Sequence, residues 1–112
     1  MPGKSFGSVV HAHSDAQFNK AMSDAGGALV VQDWFATWCG PCRAIAPVVE
    51  AAAKAHPSVL FLKVDVDKAD GAARDAGIRA MPTFRFLVNG KVLETFSGAD
   101  QGRLQVQQQG AW

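Results

Sequence analysis

The chain reads as an α/β protein: a central mixed β-sheet, mostly parallel, flanked by α-helices and closed by an antiparallel hairpin. Three observations predict this. Two apolar runs, residues 28–36 and 59–66, suit strands covered on both faces. Segments with helical spacing lie before, between and after them, which argues strand–helix–strand units. Toward the end of the chain, Asn89-Gly90 separates two strand-like stretches and is a strong tight-turn signal. The expected order is β-α-β-α-β-α-β-β-α.

Each element has its own signals. Ser8-Val9-Val10 is a short apolar start that fits an edge strand. Ser14 and Gln17 make a capping box, and Phe18, Met22 and Ala25 follow at helical spacing until Gly26-Gly27. The apolar run 28–36 is the first buried strand. Residues 41–55 are rich in alanine, with Ile45, Val48, Val49 and Ala52 as an apolar stripe. They predict a helix that Pro47 should kink and that His56-Pro57 should end. Residues 59–66 form the second buried strand, and 69–76 a short helix stopped by Gly77. Met81-Pro82 leads into a strand over 83–88, and 91–96 returns as its partner. Asp100 can cap a last helix, which Gly102, the glutamines around Gln107-Gln108-Gln109 and Gly110 weaken.

A chain of 112 residues, 48% hydrophobic, supports one domain over 1–112 with a sizeable core. Eleven basic against ten acidic residues, with no run of like charge, argue against a nucleic-acid partner. No stretch approaches the ~18 apolar residues of a membrane span. Met1-Pro2-Gly3-Lys4-Ser5 is not followed by an apolar segment, so no secretory signal is expected. The expected location is the cytoplasm, a reducing compartment in which thiols stay available. No Gly-x-Gly-x-x-Gly fingerprint occurs, and no cofactor is expected on this chain.

Both cysteines, Cys39 and Cys42, lie in Trp38-Cys39-Gly40-Pro41-Cys42, between a strand and a helix. A zinc site needs four ligands; His11, His13 and His56 have the wrong spacing and lie far from the pair, so no metal is expected. A structural bridge across so small a loop would remove little unfolded-state entropy. A redox-active pair is the stronger reading. Cys39, exposed at the helix start, is the expected nucleophile, and Cys42, one turn in and more buried, the resolving thiol. Pro41 holds the helix start, and Gly40 leaves room for a substrate backbone. Trp38 either covers the site and meets partners or packs in the core.

Asp33 interrupts an apolar strand. A buried carboxylate is costly unless paired or protonated, so it reads either as a functional group or as half of a structural pair. Asp65 and Asp67 are expected to be solvated acids at a strand end rather than a cation site. His11 and His13 are expected on an exposed loop or edge.

Several of these motifs, in register along nearly the whole chain, resemble the thioredoxin family. Asp33 with Phe35-Ala36-Thr37-Trp38-Cys39-Gly40-Pro41-Cys42-Arg43 resembles its active-site segment, and Pro47 its kinking proline. Lys63-Val64-Asp65-Val66-Asp67, Met81-Pro82-Thr83-Phe84, Asn89-Gly90 and Ser97-Gly98-Ala99 follow in the family's order. The resemblance implies the thioredoxin fold and a protein-disulfide reductase working through Cys39 and Cys42. Thioredoxins are themselves known cases of an acidified helix-start thiol.

The resemblance also places Asp33 beneath Cys42 as a proton acceptor and donor, with Lys63 as a nearby base. It makes the Met81–Pro82 bond cis, with Met81 offering its backbone to an extended substrate and Gly98 leaving room in the docking groove. The implied partners are oxidised proteins such as peroxiredoxins, methionine sulfoxide reductases and ribonucleotide reductase. The implied electron donor is an NADPH-dependent thioredoxin reductase or a glutathione-linked system. The protein is expected to be a monomer and a general cytosolic electron donor in redox homeostasis.

The departures from the pattern are Trp34 where phenylalanine is common, Arg43 for lysine, and a final segment short of much of the expected apolar face: Leu104 fits it, Gln108 falls where an aliphatic residue is expected, and Trp112 ends the sequence. Two rivals stand beside the reductase: an oxidase or isomerase in an oxidising compartment, and a binding module whose cysteines matter little.

Overall fold

A computed structural model describes residues 5–104. The elements run β1 (Val10–Ala12), α1 (Asp15–Asp24), β2 (Leu29–Phe35), α2 (Gly40–Ala55), β3 (Leu60–Asp65), α3 (Asp70–Ala76), β4 (Thr83–Val88) and β5 (Lys91–Ser97). Residues 101–104 are helical as well. The sheet order is β1-β3-β2-β4-β5. The first three of these strands pair in parallel, joined through helices, and β4 and β5 close the sheet antiparallel. This is the mixed sheet flanked by helices that the apolar runs predict.

Local chemistry explains the boundaries. The first strand begins at Val10 rather than at Ser8. Ser14 caps α1, its hydroxyl accepting the Gln17 N–H at 3.1 Å. The Gln17 side chain reaches back to the N–H of His13 at 2.7 Å, one residue before the cap. Pro41 sits in the first turn of α2, where a missing N–H goes unnoticed. Pro47 lies inside α2, so the carbonyl of Arg43 loses its helical donor there. Gly77 ends α3 at φ 72°, a conformation that suits glycine. Asn89 and Gly90 both take positive φ, as a two-residue hairpin turn requires.

The sheet buries both faces. On one, Val31, Phe61, Phe84 and Phe86 pack beneath Ile45 and Val49 of α2. On the other, Val30, Trp34, Leu60, Leu62 and Val64 pack with Ala73 of α3, and Phe18 and Met22 of α1 lie against them. Each large side chain buried this way contributes on the order of 2 kcal/mol. Trp34, the departure from the common phenylalanine, is fully buried, and its indole N–H donates to Gln32 Oε1 at 3.0 Å. The extra polar atom of that larger ring is therefore satisfied.

Leu104, in the helical residues 101–104, is fully buried against the α2 side. The expectations for Gln107, Gln108, Gln109, Gly110 and Trp112, and for residues 1–4, fall outside the described residues.

One expectation fails within the fold. Asp65 is not solvated: it is 2% exposed. Its Oδ1 accepts the N–H groups of Asp67 at 2.9 Å and Lys68 at 3.3 Å. The carboxylate holds the turn from β3 to α3, and these charge-assisted bonds offset its burial.

Candidate active site

β2 ends at Phe35, and the chain turns through Ala36, Thr37 and Trp38 into α2. Cys39 is the N-cap of that helix. Cys39 and Cys42 are joined as a disulfide, with Cα atoms 5.3 Å apart across the first turn. The Cys42 N–H points at Cys39 Sγ from 3.2 Å. In the reduced protein that donor, with the helix dipole behind it, favours a thiolate at Cys39.

The expected exposure of Cys39 is corrected. It is 6% exposed and Cys42 2%, so both are buried and only their order is as expected. Phe35 and Ala36 pack on the pair, Met81 lies against it, and the Met81 carbonyl is 3.6 Å from Cys39 Sγ. Cys39 Sγ sits under the loop that precedes β4 rather than standing clear of the surface.

That loop carries the other predicted groups. The Met81–Pro82 bond is cis, as the resemblance implied. Pro82 is buried and its carbonyl accepts the Gly98 N–H at 2.8 Å, which ties the exit of β5 to the loop. Met81 precedes β4 and lies outside the sheet ladder. Gly98 has φ 95°, and a Cβ there would meet no atom within 4 Å. Backbone conformation alone therefore favours glycine at 98. Gly40 and Pro41 are exposed at the start of α2, and a Cβ on Gly40 would meet only Arg43 Nη2 at 4.0 Å. Nothing among the described residues demands glycine at 40.

Trp38 resolves toward the surface: it is 65% exposed beside the disulfide. Its indole N–H donates to Asp67 Oδ2 at 3.0 Å. Asp67 lies just past β3, twenty-nine residues away in sequence, so no local pattern pairs the two. Arg43 likewise turns back, donating to the Thr37 carbonyl at 2.8 Å, and so bridges the turn to the helix. Asp67→Ala should free the indole. A hydrogen bond of this kind contributes on the order of 1 kcal/mol. We expect KM for protein disulfides to rise roughly two- to tenfold, with faster indole motion in time-resolved fluorescence. Unchanged indole motion would show that Asp67 does not hold the ring.

Beneath α2, Asp33 is 2% exposed and its buried Oδ1 has no hydrogen-bond partner among the described residues. Burial pushes its pKa up to about 7, and Lys63 opposes that rise. Asp33 and Lys63 are register partners on β2 and β3, yet no ion pair joins them. The Lys63 ammonium instead lies 4.6 Å from the centroid of the Phe35 ring. A groove of about 400 Å3 opens beside Cys42, lined by Phe35, Thr37, Arg43, Glu50 and Lys63 among others. The structure thus gathers the cysteines, the loop of Met81 and Pro82, and Lys63 toward one end of α2, with Asp33 beside Lys63 on the neighbouring strand. Phe35 and Asp67 join them, although the sequence assigns neither of them a role at the site.

Two cysteines that close a disulfide across one helical turn can, as the reduced dithiol, pass a pair of electrons to another disulfide and become the disulfide themselves. That chemistry, on this sheet, defines the class of thiol–disulfide oxidoreductases. The sequence model of the family described as Thioredoxin matches residues 9–108. A thioredoxin of Ictalurus punctatus is 45% identical over 98 residues, covering 86% of this chain and 92% of that protein. The solved thioredoxin of Fasciola hepatica superposes with a TM-score of 0.83 at 46% identity, covering 88% of this chain and 94% of that one. A chain from a solved complex of ferredoxin:thioredoxin reductase with thioredoxin f2 superposes with a TM-score of 0.86 at 30% identity, covering 94% and 96%. The chain belongs to the thioredoxin family and is a disulfide oxidoreductase of that type.

Proposed function

We propose that this single domain, over residues 1–112, is a monomeric, general protein-disulfide reductase of the cytoplasm. The observation that carries the reading is the Cys39–Cys42 pair at disulfide distance across the first turn of α2. Cys39 attacks a substrate disulfide as a thiolate, forming a mixed disulfide. Cys42 then attacks Cys39 Sγ, releases the reduced substrate and leaves the Cys39–Cys42 disulfide. Asp33 accepts the Cys42 proton in that second step, a role its raised pKa supports. Lys63 tempers that pKa from the neighbouring strand.

Trp38, Gly40, Pro41, Met81, Pro82 and Gly98 form the surface on which an extended substrate lies. Trp38 supplies the exposed apolar contact. The substrates are oxidised proteins of the peroxiredoxin, methionine sulfoxide reductase and ribonucleotide reductase classes. The electron donor is an NADPH-dependent thioredoxin reductase; the similarity to a chain solved in a complex of ferredoxin:thioredoxin reductase with thioredoxin f2 supports a reductase-type partner, whatever its own electron source. The function is then electron transport in redox homeostasis.

Equilibration with glutathione buffers tests the direction of the chemistry. A reductase has a potential more negative than the glutathione pool, and its disulfide persists in buffers that reduce an oxidant. A potential on the oxidising side of that pool would replace the reductase with an oxidase or isomerase.

A further inference from the structure

Lys63 stands in the middle of a row that crosses three strands. His11, Lys63 and Asp33 are successive register partners on β1, β3 and β2. Val31 and Phe61, two residues before Asp33 and Lys63, pack beneath α2, so the row lies on the α2 face. A cation beside a partnerless buried carboxyl ordinarily closes onto it. Here it does not: Asp33 Oδ1 has no partner among the described residues, and the Lys63 ammonium rests 4.6 Å from the Phe35 ring centroid. Phe35 follows Asp33 by two residues on the same strand face, and it lines the groove together with Lys63. The ring face attracts the ammonium on the groove, where Lys63 is only half-buried, whereas reaching Oδ1 would carry the charge into a buried site at a desolvation cost.

We propose that Phe35 is a positioning residue for the dithiol reaction, holding the Lys63 ammonium at the groove and out of ion-pair contact with Asp33. This rests on the reading of Asp33 as the proton-transfer group for Cys42. An ion-paired Asp33 would stay ionised and lose its capacity to hold a proton near neutral pH. The ring keeps the cation near enough to moderate the carboxyl and too far to neutralise it. The other charged groups around the row agree with this. His11 faces Lys63 from β1 with the His13 ring stacked 5.7 Å from its own, and burial together with Lys63 lowers the His11 pKa. A neutral His11 does not push the ammonium toward Asp33. From α2, Glu50 and Arg43 line the same groove, with Arg43 engaged by the Thr37 carbonyl. From β4, Asp33 faces Phe84, which carries no charge.

The test is the titration of Asp33 itself, read from its side-chain carboxyl carbon by NMR in the reduced protein. Phe35→Leu should lower the Asp33 midpoint by about one unit or more, because the freed ammonium closes on the carboxylate. Phe35→Tyr keeps a ring face and should leave the midpoint in place. In a Lys63→Met background, Phe35→Leu should no longer lower it. A Phe35→Leu protein that loses stability but keeps the wild-type midpoint would overturn the proposal, as would an equal downward shift with and without Lys63. If Phe35→Leu is too unstable to study, Phe35→Ile and Phe35→Met carry the same expectation. The underlying reading fails differently: Asp33→Asn would then leave the pH profile of mixed-disulfide resolution unchanged, while the carboxyl titration of the Phe35 variants still decides the positioning claim.

Discussion

Cys39→Ser should abolish disulfide reduction, and Cys42→Ser should accumulate mixed disulfides between Cys39 and its substrates. The asymmetry follows from position. Cys39 caps α2 and receives the Cys42 N–H at its sulfur, which favours the attacking thiolate. Cys42 lies inside the first turn at 2% exposure, where an incoming disulfide reaches it last. A serine at 39 removes the nucleophile, and turnover should fall to the uncatalysed rate. A serine at 42 leaves the first attack intact and removes the only internal thiol that can resolve it. Mass spectrometry of captured complexes reads both outcomes. Adducts through Cys42 in the Cys39→Ser protein, with none in the reverse case, would invert the assignment.

Asp33→Asn should stabilise the protein at and above neutral pH and slow resolution by Cys42. The folded-state pKa of about 7 lies above the ordinary value of 3.8. Below about pH 4 the carboxyl is protonated in both folded and unfolded chains and contributes no pH-dependent term. As pH rises from about 4 to about 7, the unfolded chain releases the proton and the folded chain keeps it, so stability falls through that window. Above it the full deficit remains, up to roughly 4 kcal/mol at about 1.4 kcal/mol per pKa unit. Asparagine has nearly the same volume and no charge, so the variant should gain most of this at about pH 8 and little at about pH 4. The gain is trimmed by the unpartnered amide that replaces the carboxyl. Denaturant melts at several pH values test the stability half, and single-turnover kinetics the other. An Asp33→Asn protein that resolves mixed disulfides at the wild-type rate between about pH 6 and about pH 8 would return Asp33 to a structural role.

Much of this was legible in the chain. Ala28 to Ala36 and Val59 to Val66 are apolar without alternation because β2 and β3 are central strands covered on both faces. Asn89-Gly90 marked the hairpin because a two-residue turn needs positive φ twice. The cysteine pair was legible from spacing, and Asp33 from the misfit of a charge among apolar neighbours.

What was not legible depends on pairing across the fold. Asp65 looked solvated because the sequence does not show a side chain turning back onto the backbone of the following turn. Cys39 looked exposed because the covering loop around Met81 is brought over it only when β4 joins β2. The Trp38–Asp67 bond and the Lys63–Phe35 contact join neighbouring strands and their extensions. Their residue types are ordinary for their positions, so neither stands out before the sheet is assembled.

The most direct measurement of the central claim is insulin reduction coupled to NADPH oxidation, with a thioredoxin reductase supplied and the Cys39→Ser, Cys42→Ser double variant run alongside. The account predicts sustained, catalytic NADPH consumption with the wild-type protein and none above background with the double variant. Equal consumption by both, or no insulin reduction by wild-type protein whose Cys39–Cys42 disulfide the reductase has opened, would contradict it.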